Sequence, residues 1–193
     1  MWESSHHLCE YLVDQADTLL PQDPSANLRI LEVGSGLGRC GLLAHHLSPE
    51  NATTVLTDGD TDTLKQLREN VQYNAKVEDE GNNLSKQLLW GEKYAQSFLL
   101  NEQPEENDER KFDFILGSDL IYVQSVIRPL FETVRILLND KKDSKFLMAH
   151  CARREGNEVD LHMVLDVADK EGFTYEEVIK DGDISVFVFQ RKS

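Results

Sequence analysis

The sequence predicts an α/β fold: a seven-stranded, mostly parallel sheet with helices on both faces and an antiparallel hairpin at its C-terminal end. Three observations carry this. Short apolar runs alternate with segments of helical spacing through most of the chain, which implies parallel strands joined by crossover helices. Glycine, proline and Asp-Gly pairs punctuate those segments. The last two apolar runs flank a tight turn, Lys180-Asp181-Gly182-Asp183. They therefore run antiparallel to each other, and one of them is reversed within the sheet.

Each element has its own signal. Residues 28–33 read as a buried strand that stops at Gly34. Residues 40–47 have apolar side chains at helical spacing, with Pro49 beyond their end. Residues 53–57 are rich in β-branched side chains and stop at Asp58-Gly59. Asp60 then caps a helix with Leu64, Leu67 and Val71 on one face. Residues 85–90 give a third strand and 112–116 a fourth, ended by Gly117. Residues 126–138 read as a helix with Pro129 in its first turn. Residues 145–149 form a fifth strand. Residues 159–170 form a helix with Leu161, Val164, Leu165 and Ala168 on one side, ended by Gly172. Residues 173–179 and 184–189 are the closing hairpin. Residues 101–110 carry no apolar side chain and read as a solvated acidic loop. The length, 193 residues, suits one domain over 1–193.

Composition narrows the function. At 40% hydrophobic and 28% charged, the chain has the balance of a globular protein with a core. It has no apolar run long enough for a transmembrane helix, and its first residues lack the pattern of a signal peptide. An intracellular protein, in the cytoplasm or nucleus and with no membrane partner, is expected. Twenty Lys and Arg against 35 Asp and Glu give a net charge of -15, which argues against a nucleic-acid partner and favours a basic protein segment. Cys9, Cys40 and Cys151 are odd in number and far apart, so they read as reduced and buried rather than as a disulfide framework. The histidines show no ligand spacing and no metal site is expected; only His150 falls near the carboxyl end of a strand.

The chemistry concentrates at Glu32-Val33-Gly34-Ser35-Gly36-Leu37-Gly38, where the first strand gives way to the first crossover helix. Three alternating glycines permit a tight turn and let a ligand approach the backbone. The third glycine comes one residue too early for a dinucleotide fingerprint, and no Lys-Ser or Lys-Thr follows as in a P-loop. An acidic residue at the end of the second strand would accept hydrogen bonds from a ribose. Asp58 stands there, with Asp60 close by.

Four features in order extend this pattern: Trp2-Glu3-Ser4-Ser5, the ExGxGxG of residues 32–38, Leu88-Leu89-Trp90-Gly91, and Asp119-Leu120-Ile121-Tyr122 after the fourth strand. Together, over residues 2–135, they resemble the family 16 protein methyltransferases. These are S-adenosylmethionine-dependent enzymes of the Rossmann-like class I fold that modify lysine. The resemblance implies that Gly34, Gly36 and Gly38 face the donor's methionine end, with Glu32 near its ammonium. Asp58 would hold the ribose, Trp90 would border the adenine, Trp2 would close over the donor, and Ser118 would touch it. Asp119 and Tyr122 would face the methyl-transfer centre, and a monomer would act on a protein presenting a lysine, leaving S-adenosylhomocysteine. The residues alone leave structural alternatives: Asp58 as a turn residue, either tryptophan as core, Tyr122 as packing at a helix start, and Asp119 as a helix N-cap. Two rival functions also stay open: methyl transfer to a small molecule or another nucleophile, and a weakly active donor-binding scaffold working through a protein partner. In the family, several tens of residues precede the tryptophan segment, whereas here Met1 directly precedes Trp2. A short variant or an incomplete chain is expected.

Overall fold

The computed structural model describes residues 3–20, 27–74, 83–101, 110–152 and 159–192. Trp2 and all but the ends of the acidic stretch 101–110 lie outside the described residues. The chain runs α1 (Ser4–Asp14), α2 (Ala16–Leu19), β1 (Arg29–Glu32), α3 (Arg39–Leu47), β2 (Thr53–Asp58), α4 (Thr61–Asn74) and β3 (Asn83–Gln87). It continues through α5 (Glu92–Asn101), β4 (Phe114–Ser118), a 3-10 turn (Gln124–Val126), α6 (Ile127–Leu137), β5 (Lys145–Cys151) and α7 (Leu161–Lys170) to β6 (Phe173–Asp181) and β7 (Ile184–Arg191).

The seven strands form one sheet in the order β3-β2-β1-β4-β5-β7-β6. β1 lies parallel to β2 and β4, β2 to β3, and β4 to β5. The reversed strand is β7, which is antiparallel to both β5 and β6. The Asp-Gly signal sets this: Asp181 pairs with Ile184 across two residues, and Gly182 takes the left-handed φ of 54° that the turn requires.

Strands buried on both faces read as continuous apolar runs. Ile115 and Leu116 of β4 and Phe146, Leu147 and Met148 of β5 are fully enclosed. Helices α1 and α3 cover one face, where Leu8, Leu12, Cys40 and Ala44 pack on Ile30, Leu116 and Leu147. Helix α4 joins them through Leu64 and Leu67 on Leu56. Helices α5, α6 and α7 cover the other face, centred on Phe131. Its ring lies 5.3 Å from that of Phe189, 6.0 Å from Phe173 and 6.1 Å from Phe146. The edge strands are the polar ones: β3 reads Asn-Leu-Ser-Lys-Gln, and Thr174 to Glu177 of β6 are exposed. No described helix is long and apolar enough to cross a membrane.

Two strands sit differently from expectation. β3 ends at Gln87 rather than at Trp90, because its partner β2 ends at Asp58 and the last ladder contact is Leu88 N–H to the Asp58 carbonyl at 3.1 Å. β4 runs two residues later, because Gly117 and Ser118 still pair with Met148 and Ala149 in the middle of the sheet. Helices α1 and α5 carry their signals, Ser5-Leu8-Cys9-Leu12 and Ala95-Phe98, but flanking polar residues blur both.

Candidate active site

The strand order reverses at β1. The chain moves outward through β2 and β3 and then returns to place β4 on the other side. The connection leaving β1 enters α3 on one face of the sheet, and the one leaving β4 leads to α6 on the other. A crevice opens between them at the carboxyl ends of the strands, the usual ligand position in such sheets. Here it is a cavity of about 900 Å³.

The glycine loop forms one wall, and its three glycines do three different things. Gly34 lines the cavity with φ 60°, and a Cβ there would fall 2.7 Å from Leu120 and 3.3 Å from the Trp90 ring. Gly36 also lines it, and a Cβ there would meet nothing within 4 Å. Gly38 is not part of the wall. It starts α3 with φ 85°, and its missing Cβ makes room for Leu67 at 2.7 Å and Leu56 at 2.8 Å.

Asp58 stands at the tip of β2 and braces this loop. One carboxylate oxygen accepts the Gly36 N–H at 3.0 Å, and the other accepts the Asp60 N–H at 3.0 Å. Asp60 itself caps α4 through the Thr63 N–H at 2.7 Å, as expected, and this bond holds its carboxyl below the usual range. Glu32, at the start of the loop, lines the cavity although it is only 2% exposed, and accepts the Gly41 N–H at 3.1 Å. Burial pushes its carboxyl up to about 8, although hydrogen bonds from Gly41 and Ser35 pull it back.

The opposite wall comes from β4. Ser118 and Asp119 both line the cavity, and Asp119 is buried. Asp119 is also the one non-glycine among the described residues with a left-handed φ, 55°. This conformation turns the chain sharply off the strand end, and a short carboxyl side chain tolerates it. The next helical turn starts only at Gln124, so Asp119 is not a helix N-cap. Tyr122 is 43% exposed and faces the cavity rather than the core. Trp90 does both, packing on the α5–α6 core while lining the cavity. His150 is buried but does not line it.

The same walls hold residues that the sequence pattern had not singled out. Arg39 follows Gly38 directly, Ser5 belongs to the tryptophan segment, and Tyr94 sits in the first turn of the unanticipated α5. Position beside a motif was the only available signal for Arg39, and membership of one for Ser5.

The geometry of a glycine loop, a strand-two aspartate and an Asp-x-x-Tyr around one crevice agrees with what the chain resembles as a whole. A lysine methyltransferase family model matches residues 1–166. The chain belongs to the lysine methyltransferase family. Among its lysine methyltransferase relatives, it is 30% identical over 139 residues to the protein-lysine N-methyltransferase EFM3 of Chaetomium thermophilum, covering 72% of this chain and 38% of that protein. It is 27% identical to the protein N-lysine methyltransferase METTL21A of Xenopus tropicalis, covering 98% of this chain and 75% of the relative. The solved ribosomal protein L11 methylase of Lactobacillus delbrueckii subsp. bulgaricus superposes with a TM-score of 0.66 at 16% identity, over 100% of this chain and 81% of that one. At that identity the match shows the fold alone, which is the Rossmann-like methyltransferase sheet.

Proposed function

We propose that residues 1–193 form one methyltransferase domain that transfers a methyl group from S-adenosylmethionine to a lysine of a protein substrate, leaving S-adenosylhomocysteine. The observation that carries this reading is that Asp119 and Tyr122 open into the same cavity as the glycine loop and Asp58.

The walls suit an adenosine with an amino-acid tail. The carboxylate of Asp58 has about four acceptor positions. The Gly36 and Asp60 amides occupy two, which leaves capacity for two ribose hydroxyls. The open space at Gly36 admits a ligand against the backbone. Trp90 offers an aromatic face for the adenine, and Ser118 offers a hydroxyl beside the reacting end. Glu32 sits where the tail ammonium would arrive, and a cation there favours its ionised form. Trp2, assigned by the resemblance to close over the donor, belongs to this proposal through the sequence alone.

S-adenosylmethionine supplies a methyl group activated by its bond to a positively charged sulfur. The protein must orient a neutral amine on line with that bond and exclude water. A free lysine amine has a pKa of about 10.4, so it is mostly protonated on arrival and must lose its proton. Asp119, on the cavity wall at the end of β4, orients the amine and stabilises positive charge as it develops on nitrogen. Tyr122 lines the approach. Leu37, Leu89 and Tyr94 are exposed apolar side chains on the same walls, fit to pack against lysine methylenes. The net charge of -15 favours a basic segment around the target.

The test is transfer of labelled methyl from S-adenosylmethionine into a cell extract, resolved by size and followed by hydrolysis of the labelled bands. Methyl-lysine in a discrete band, absent with Asp119→Ala, is expected. Label confined to small molecules, or in a residue other than lysine, would overturn the assignment.

A further inference from the structure

We propose that Arg39 holds the carboxylate of the donor's amino-acid tail, and so selects donors that carry this group over nucleosides that lack it. This rests on the donor reading above and adds to it a residue outside the ExGxGxG pattern.

The charge on the cavity wall makes the need plain. Three acidic side chains line it: Glu32, Asp58 and Asp119. Arg39 is the one basic side chain among the described lining residues. The tail of S-adenosylmethionine carries an ammonium and a carboxylate on one carbon. The ammonium finds acidic company in this cavity. The carboxylate gains nothing from these groups, and would be repelled by those that are ionised, unless a cation meets it.

Arg39 is placed to do so. It directly follows the glycine loop, with Glu32 at the loop's other end and Gly34 and Gly36 between them. An ammonium and a carboxylate bound together against the loop would therefore find an acidic and a basic side chain on the same cavity wall. The guanidinium is also steadied. Nη1 donates to Ser5 Oγ at 3.2 Å, and Nη2 lies 3.4 Å from His6 Nδ1, both on α1. A guanidinium has five N–H donors in a rigid fork, so these two contacts leave donors for a paired, two-point grip on a carboxylate. Ser5 lines the cavity beside it, adding a hydroxyl on the same side.

The rival role for Arg39 is a strap that only fastens α1 to α3. Calorimetric titration separates the two, using S-adenosylhomocysteine and 5′-methylthioadenosine, which shares the nucleoside but lacks the whole amino-acid tail. Arg39→Ala should weaken S-adenosylhomocysteine about 10- to 100-fold, the range for a hydrogen-bonded charge. It should leave 5′-methylthioadenosine unchanged. Arg39→Lys should fall between, because it keeps the charge but loses the fork. Equal weakening of both ligands by Arg39→Ala, or no weakening of either, would overturn the proposal. Failure of the unmodified protein to bind S-adenosylhomocysteine at all would overturn the donor reading itself, and this assignment with it.

Discussion

Glu32 shows how one buried group sets solution behaviour. Its carboxyl stands at about 8 in the folded chain, against an ordinary value of 4.5. The folded state therefore holds a proton that the unfolded chain has released between those two values. Stability from this group is complete below the ordinary value and is lost as pH rises towards 8, at up to about 1.4 kcal/mol per pH unit. His7 acts in the same direction, because its hydrogen bond to Asp181 raises it above its ordinary value. Glu32→Gln should flatten the fall in denaturant midpoint between pH 5 and 8 and leave the His7 part. An unchanged slope would show that Glu32 is ionised throughout. Beside the cavity, Asp119→Asn should lower turnover on the order of 100-fold with little change in S-adenosylhomocysteine affinity. Asparagine accepts the same left-handed backbone, so folding should survive the exchange. Asp58→Ala should do the reverse and weaken nucleoside binding about tenfold or more, since it removes ribose acceptors and frees the Gly36 amide.

At the scale of elements, the strand–loop–helix unit β1–α3 places Gly36 on the open cavity wall and Gly38 against the packed side chains of β2 and α4. Gly38→Ala must place a Cβ against Leu56 and Leu67 with a left-handed backbone, which costs about 1–2 kcal/mol before any clash. Its thermal midpoint should fall. Gly36→Ala carries the same backbone penalty but meets open space, so its added loss should appear in donor affinity. This division was not legible in the sequence, where all three glycines satisfy one motif; it depends on which neighbours approach from β2 and α4. Asp60 was legible as a cap because the signal is local, three residues to Thr63. The end of β3 was not, because a ladder stops where its partner stops. Helix α1 has an apolar stripe, but its role in steadying Arg39 depends on contacts 33 and 34 residues apart.

For the whole molecule, alternation of strand and helix was enough to read a mostly parallel sheet, and one Asp-Gly turn was enough to read its reversed strand. Pairing order was not legible, since it rests on contacts between distant segments such as Met148 and Phe187. The reversed strand also ties the fold together. Phe189 stacks among Phe131, Phe146 and Tyr175 with no exposure. Phe189→Ala should cost about 3–5 kcal/mol, a large share of a typical domain's stability, read as a drop in denaturant midpoint. The crevice is equally a property of the whole sheet, since β1, β2 and β4 and the segment after β3 each deliver one part of it. The decisive measurement is a crystal structure with S-adenosylhomocysteine bound. The expected result has the ribose hydroxyls within hydrogen-bonding distance of Asp58, and the sulfur facing Asp119 and Tyr122 across the cavity. A nucleoside bound elsewhere, or a sulfur turned away from Asp119, would contradict the assignment of this crevice as the methyl-transfer site.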